Sequence, residues 1–168
     1  PRSTPSNSSA ASDVYKRQAN TPHMFFEEVK SRSPIPLISI IDALAEELKR
    51  NGVRRVGLLG TKFTMEDDFY KGRLKRKHGI DVLIPDEEGR QIVHDVIYNE
   101  LCKGRIKEFS KEKFKRIIAD LASKGAEGVI LGCTEIPLLI KQEDCDIPIF
   151  DTTMIHAEAA VNFALGEK

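Results

Sequence analysis

Short apolar runs alternate with helical patterns along this 168-residue chain, and this alternation constrains its fold more than any other feature. Four runs are closed or directly followed by glycine, proline or a polar residue, as buried strands are: 56–60, 80–84, 128–132 and 147–150. Residues 37–40 form a further run, which is consistent with a buried strand. Apolar residues at helical spacing fill the stretches between the runs. The sequence therefore predicts an α/β domain with a mainly parallel sheet flanked by helices.

Polar turns follow several of the predicted strands, at the points where those strands end. Three of these turns are 61–64, 133–135 and 151–153, and Asn20-Thr21 would be a fourth if a strand precedes it. In parallel sheets, active sites lie at the carboxyl ends of the strands. We therefore expect the turns to meet at one edge of the sheet and to form a site there.

Charge and cysteine content exclude some classes of function. Lysine plus arginine equals aspartate plus glutamate at 26 each, so nothing favours a nucleic acid or a membrane surface as partner. No apolar run approaches the roughly 20 residues that span a bilayer. The three cysteines, Cys102, Cys133 and Cys145, lack metal-ligand spacing, and their odd number fits a reducing cytosol. We expect a cytoplasmic protein without a metal site.

The turn Gly132-Cys133-Thr134-Glu135 is the pattern that carries most chemistry. A cysteine just past a buried strand, at the start of a helix, gains from the helix dipole and from exposed amides, and both favour the thiolate. A thiolate can act as a nucleophile or as a base that removes an α-proton, and Thr134 can donate hydrogen bonds to a substrate carboxylate. From these residues alone, a buried structural cysteine remains the commoner alternative.

Five segments together resemble the aspartate/glutamate racemase superfamily, and are most similar to its amino-acid racemase branch. They are Ala19–His23, Val56–Leu74, Ile84–Arg90, Gly125–Ile140 and Phe150–Val161. The resemblance implies a two-domain, pseudo-symmetric α/β fold with the active site between the domains. It also implies catalysis without a cofactor, by two residues that exchange the α-proton of an amino acid on opposite faces. A full-length member is expected to be a homodimer.

The resemblance places Cys133 as the second catalytic residue and puts Ala19 at the position of the first. Alanine can neither donate nor accept a proton, whereas two-base racemisation needs a group on each face. Our first hypothesis is an aspartate/glutamate-type amino-acid racemase that transfers the α-proton through the Cys133 thiolate. The alternatives are a single-cysteine decarboxylase or cis-trans isomerase acting on a dicarboxylate, and a non-catalytic amino-acid-binding relative.

The resemblance also assigns substrate contacts to other residues. Asn20 and Thr21 would bind the α-carboxylate from the first domain, with helix capping as the alternative role. Thr134 would bind the carboxylate from the second domain. From their position after a predicted strand, Thr61 and Thr64 are candidates for substrate contact, with turn formation as the alternative. Two supporting residues are also candidates. Glu135 would orient Cys133 or cap its helix, and His156 would reach the cleft or bond to backbone.

Residues 1–18 resemble a translated sequencing adapter, so we leave them out of the argument about the fold. On this interpretation, residues 19–35 end a truncated first domain and 36–150 form the second α/β domain. Residues 151–168 would form a C-terminal helix that packs on the first domain. We then expect the chain by itself to be inactive and poorly soluble.

Overall fold

A four-stranded parallel sheet organises the chain in the computed structural model, which describes residues 19–166. The interpretation of residues 1–18 lies outside these described residues. The strands are β1 (Arg55–Leu59), β2 (Asp81–Leu83), β3 (Val129–Leu131) and β4 (Ile149–Asp151). Their order in the sheet is β2-β1-β3-β4, and every neighbouring pair is parallel. The predicted α/β class with a parallel sheet is confirmed.

Helices cover the sheet and connect its strands. They are α1 (Phe26–Arg32), α2 (Ile40–Arg50), α3 (Lys62–Glu66), α4 (Asp68–His78), α5 (Glu87–Asn99), α6 (Glu108–Ser123), α7 (Ile136–Leu139) and α8 (Thr152–Leu165). Short 3-10 turns lie at Thr21–Phe25, Leu101–Lys103 and Gln142–Asp144. Within residues 19–166, no helix is both long enough and apolar enough to cross a bilayer.

The two central strands are buried on both faces, which explains why their sequences are continuously apolar rather than alternating. Val56, Leu58 and Leu59 of β1 are inaccessible to solvent, and so are all three residues of β3. Glycine at Gly57 also favours close approach, because a Cβ atom there would lie 3.0 Å from the Leu121 Cδ1 atom of α6. The core is formed by these strands together with buried apolar residues of α2, α4, α5 and α6.

The predicted strand at 37–40 is wrong. Residues 37–39 pair with no strand, and Ile40 begins α2 instead. The Ser39 hydroxyl oxygen accepts a hydrogen bond from the Asp42 amide at 3.3 Å, which caps the helix. Ile40 and Ile41 are buried as the first turn of an amphipathic helix. A run of four apolar residues fits either element, and the cap together with the apolar spacing that follows decides for the helix.

The turn predicted at 61–64 is also more ordered than expected, because α3 occupies Lys62–Glu66. Thr61 is its N-cap, and the Thr61 hydroxyl oxygen accepts a hydrogen bond from the Thr64 amide at 3.3 Å. The polar residues after β1 therefore serve to start a short helix directly at the strand end.

Helix α8 packs against α2 through its first turns. Thr152 and His156 are buried there, whereas Met154, Val161, Phe163 and Leu165 expose more than half of their surface. The expectation that this helix packs on a first domain stays a prediction.

An ion-pair cluster joins α1, α2 and α4. The Asp42 carboxylate accepts hydrogen bonds from Arg73 at 2.7 and 2.8 Å, from Lys77 at 2.6 Å and from His78 at 2.9 Å. A further Arg73 N–H donates to Glu27 at 2.6 Å. Burial acts to raise the pKa of Asp42, but the bonds from the three basic side chains outweigh it and hold the pKa well below its ordinary value. The basic residues of α4 thus neutralise acidic partners.

Candidate active site

Three strand ends bring the predicted polar turns to one edge of the sheet. β1, β3 and β4 are adjacent and parallel, with Leu59 paired to Leu131 and Leu131 paired to Asp151. The residues that follow these strands therefore emerge side by side, as parallel pairing requires. α3, the turn at Cys133 and the start of α8 all begin at this edge.

Two glycines allow the strand ends to approach one another. A Cβ atom at Gly132 would lie 2.9 Å from the Leu59 carbonyl oxygen, and one at Gly60 would lie 3.2 Å from the Thr64 side chain. Both distances are too short for a side chain that cannot move. Glycine at both positions therefore lets α3 pack directly against the turn that holds Cys133.

Cys133, Thr134 and Glu135 form one hydrogen-bonded group. The Cys133 thiol and the Thr134 hydroxyl each donate to the Glu135 Oε2 atom, at 2.8 Å in both cases. Cys133 and Glu135 are half-buried, whereas Thr134 is exposed. The carboxylate is therefore the common acceptor of the turn, and the thiol lies within proton-transfer distance of it.

The helix-start stabilisation expected for a Cys133 thiolate does not operate in this arrangement. Burial of the sulfur, followed by its hydrogen bond to Glu135, raises the pKa of Cys133 to about 12. α7 has only four residues and its N-cap is Glu135, so Cys133 lies before the helix rather than at its first amides. Both the burial and the hydrogen bond therefore favour the protonated thiol over the thiolate.

Glu135 has the opposite tendency. Burial acts to raise the pKa of Glu135, but the hydrogen bonds from Cys133 and Thr134 outweigh it and leave the pKa below its ordinary value. An ionised carboxylate therefore faces a protonated thiol, and the proton of the pair favours the sulfur. The structure thus places a thiol and a carboxylate in direct contact at the sheet edge.

Asn20 lies at the same sheet edge, where it bonds to Thr152, a residue 132 positions later in the sequence. The Asn20 Nδ2–H group donates to the Thr152 hydroxyl oxygen at 3.0 Å, and Asn20 is 4% exposed. It makes no side-chain capping bond to the following 3-10 turn. Thr21 is exposed at the start of that turn, and Ala19, directly before Asn20, is half-buried with only a methyl group.

The remaining predicted site residues bond mainly within the protein. The Thr61 and Thr64 hydroxyl oxygens lie 3.1 Å apart, and Thr64 is 1% exposed. The His156 Nε2–H group donates to the Ile38 carbonyl oxygen at 3.1 Å, and its ring meets His23 edge-on at 5.4 Å between centroids. His156 therefore links α8 to the segment before α2.

Thr152 is the residue at this edge that sequence reasoning missed. It was part of a predicted polar turn, but its partners, Asn20 and Leu131, are distant in sequence and no local signal marks them. Among the described residues, no group of three or more His, Cys, Asp or Glu side chains is placed to hold a metal ion.

Comparison with known proteins gives the family. The sequence profile described as Asp/Glu/Hydantoin racemase matches residues 7–160. A candidate Asp/Glu racemase from Yersinia pestis has 46% sequence identity and a TM-score of 0.85 over 88% of this chain and 64% of its own. An aspartate racemase homologue from Pyrococcus horikoshii OT3 has 44% identity and a TM-score of 0.81 over the same shares. A glutamate racemase from Aquifex aeolicus (strain VF5) is 27% identical over 145 residues.

These matches cover most of this chain but only part of the relatives. The chain spans 64% of each of the two solved structures, and the match to the glutamate racemase covers 84% of this chain and 54% of that protein. Since the profile extends from residue 7 to residue 160, the chain belongs to the Asp/Glu/hydantoin racemase family.

Proposed function

We propose that this chain carries the Cys133 side of a cofactor-independent amino-acid racemase of the aspartate/glutamate type. The observation that carries the proposal is the Cys133 thiol at the sheet edge, 2.8 Å from the Glu135 carboxylate. Family membership supports racemase chemistry, and the names of the relatives support acidic amino acids as substrates. The chain spans between 54% and 64% of the length of those relatives. The activity is therefore proposed for the natural gene product, by which we mean the full-length protein encoded by the gene that this chain comes from.

The proton path follows from the Cys133–Glu135 pair. Transfer of the thiol proton to Glu135 is uphill in the structure described, so in this proposal it occurs only with substrate bound. The thiolate then removes the substrate α-proton, which leaves the electron pair on the α-carbon. The Thr134 hydroxyl, exposed beside the sulfur, donates to Glu135 before substrate binds. On substrate binding it turns this one proton to the substrate carboxylate and so stabilises the developing charge. Cys133 returns a proton, now from solvent, to the same face.

Ala19 makes the two faces unequal. No acid or base side chain occupies the position that the family pattern gives to the first catalytic residue. Protonation on that face then depends on water or on a neighbouring group. We expect exchange of the α-proton with retention of configuration to be faster than inversion.

The test follows α-protons in heavy water. The natural gene product is incubated with each enantiomer of aspartate and glutamate, and the α-proton signals are recorded by NMR. We expect loss of signal from one enantiomer and no loss with Cys133→Ser. Cys145→Ser is the matched control, because Cys145 is a half-buried cysteine in a charged loop outside the site. Absence of exchange in the wild type, with Cys133→Ser behaving identically, refutes the racemase.

Ala19 also favours a second candidate, a single-cysteine decarboxylase or cis-trans isomerase acting on a dicarboxylate. The same NMR assay distinguishes the outcomes when saturated and unsaturated dicarboxylates are added as further substrates. Decarboxylation then gives a new methyl or methylene signal, and isomerisation moves a vinyl signal. Saturable binding of an amino acid without any exchange would identify a non-catalytic relative. For the 168-residue chain alone we expect no turnover, and for the natural gene product we expect a homodimer by light scattering.

A further inference from the structure

We propose that Thr152 is a positioning residue for this site, because its hydroxyl fixes the orientation of the Asn20 amide and ties Asn20 to the strand that leads to Cys133. The proposal rests on the proposed function, in which Asn20 and Cys133 belong to one active site. It adds a residue for which the sequence pattern assigned no role.

The direction of each hydrogen bond is set by the groups involved. The Thr152 hydroxyl oxygen lies 3.0 Å from the Leu131 carbonyl oxygen and 3.0 Å from the Asn20 Nδ2 atom. A carbonyl can only accept, so the hydroxyl gives its one proton to Leu131. Toward Asn20 the hydroxyl can then only accept, and the Asn20 amide must present its NH₂ group. Rotation of the amide by half a turn would set two acceptors against each other.

Burial makes this orientation strong. Thr152 is completely buried and Asn20 is 4% exposed, so neither group can exchange its partner for water without opening the site. Within the described residues, Thr152 is the hydrogen-bond partner of the Asn20 side chain, while the Asn20 Oδ1 atom is buried without one. The orientation of the amide therefore depends on a single hydroxyl.

The link also joins the two parts of the proposed site. Leu131 is the last residue of β3 and lies two positions before Cys133, whereas Asn20 follows Ala19 and precedes Thr21. Thr152 itself is held at the start of α8, whose N-cap residue Asp151 accepts from the amides of the second and third residues after it. Loss of the hydroxyl frees the Asn20 segment to shift relative to Cys133. A displacement of about 1 Å costs on the order of 100-fold in rate at such sites.

The main test compares Thr152→Val with Thr152→Ser in the natural gene product. Valine keeps the shape and removes the hydroxyl, whereas serine keeps the hydroxyl and is the matched control. We expect kcat/KM for α-proton exchange to fall about 10- to 100-fold with valine and to stay within about threefold with serine. If valine prevents folding, Thr152→Ala replaces it, because the smaller side chain cannot clash.

A double-mutant cycle separates positioning from a general structural role. If Thr152 acts through Asn20, adding Thr152→Val to Asn20→Ala causes little further loss of kcat/KM. Equal and additive losses in the two backgrounds would overturn the proposal.

A second readout does not depend on activity. In the natural gene product, the Asn20 side-chain amide protons are followed by ¹⁵N NMR. We expect slow exchange with solvent in the wild type and in Thr152→Ser, and fast exchange in Thr152→Val. Fast exchange in the wild type overturns the proposal. If the protons are protected but the natural gene product shows no α-proton exchange, the proposed function fails while the orientation of Asn20 by Thr152 is supported.

Discussion

Replacement of Glu135 by glutamine tests the Cys133–Glu135 pair most directly, because it is expected to move two properties of Cys133 in opposite directions. The amide of the introduced glutamine cannot accept the thiol proton, so α-proton exchange slows. The substitution also removes the negative charge and the charged acceptor that help to hold the proton on sulfur. The thiol therefore becomes more acidic and more reactive toward alkylating agents, even as catalysis is lost.

The size of the effect follows from the raised pKa. With a pKa of about 12, Cys133 is a thiolate in about one molecule in 10,000 at pH 8, whereas an unperturbed thiol with a pKa of about 8.5 is a thiolate in about one in four. Burial is the first cause of the shift and stays in place in the variant. Removal of the Glu135 charge is expected to lower the pKa by about one unit, which raises the thiolate fraction at pH 8 about tenfold.

The assay measures iodoacetamide labelling of the 168-residue chain by mass spectrometry as a function of pH. A background with Cys102→Ser and Cys145→Ser leaves Cys133 as the only cysteine. We expect slow labelling that still rises above pH 10, and labelling about tenfold faster at pH 8 with Glu135→Gln. A wild-type labelling midpoint near pH 8.5, or slower labelling in the variant, would refute the reasoning.

Three further changes test the fold. The Tyr70 hydroxyl is buried without a hydrogen-bond partner among the described residues, so Tyr70→Phe should raise the free energy of unfolding by about 1 kcal/mol in urea titrations. The pKa of Asp42 is lowered by folding, so its stabilisation is complete above the unfolded value of 3.8 and is lost as the pH falls toward the folded value. Unfolding measured below pH 4 should therefore show a weaker pH dependence with Asp42→Asn, and an unchanged slope would contradict the cluster with Arg73. Gly132→Ala should lower the melting temperature, at a cost of about 1–3 kcal/mol, because its Cβ atom would lie 2.9 Å from the Leu59 carbonyl oxygen; an unchanged melting temperature would refute the close contact.

Much of the fold could be predicted from local sequence. Buried parallel strands read as apolar runs bounded by glycine or proline, so the predicted runs coincide with β1 to β4 to within one or two residues at their ends. The run at 37–40 was misread because four apolar residues suit a strand or the first turn of a helix. The bond from the Asp42 amide to Ser39, the apolar spacing that follows, and the burial of Ile40 and Ile41 together decide for α2.

The sequence by itself determined the alternation of strands and helices, the edge of the sheet at which the polar turns gather, and the turn that carries Cys133. These follow from residue type and spacing along a short stretch of chain. The ionisation state of Cys133 and the partner of Asn20 were decided only by the tertiary structure. Desolvation of the sulfur depends on everything packed around it, and the bond from Asn20 to Thr152 joins residues 132 positions apart. No local pattern records such a contact, because it exists only once β3, β4 and α8 have assembled.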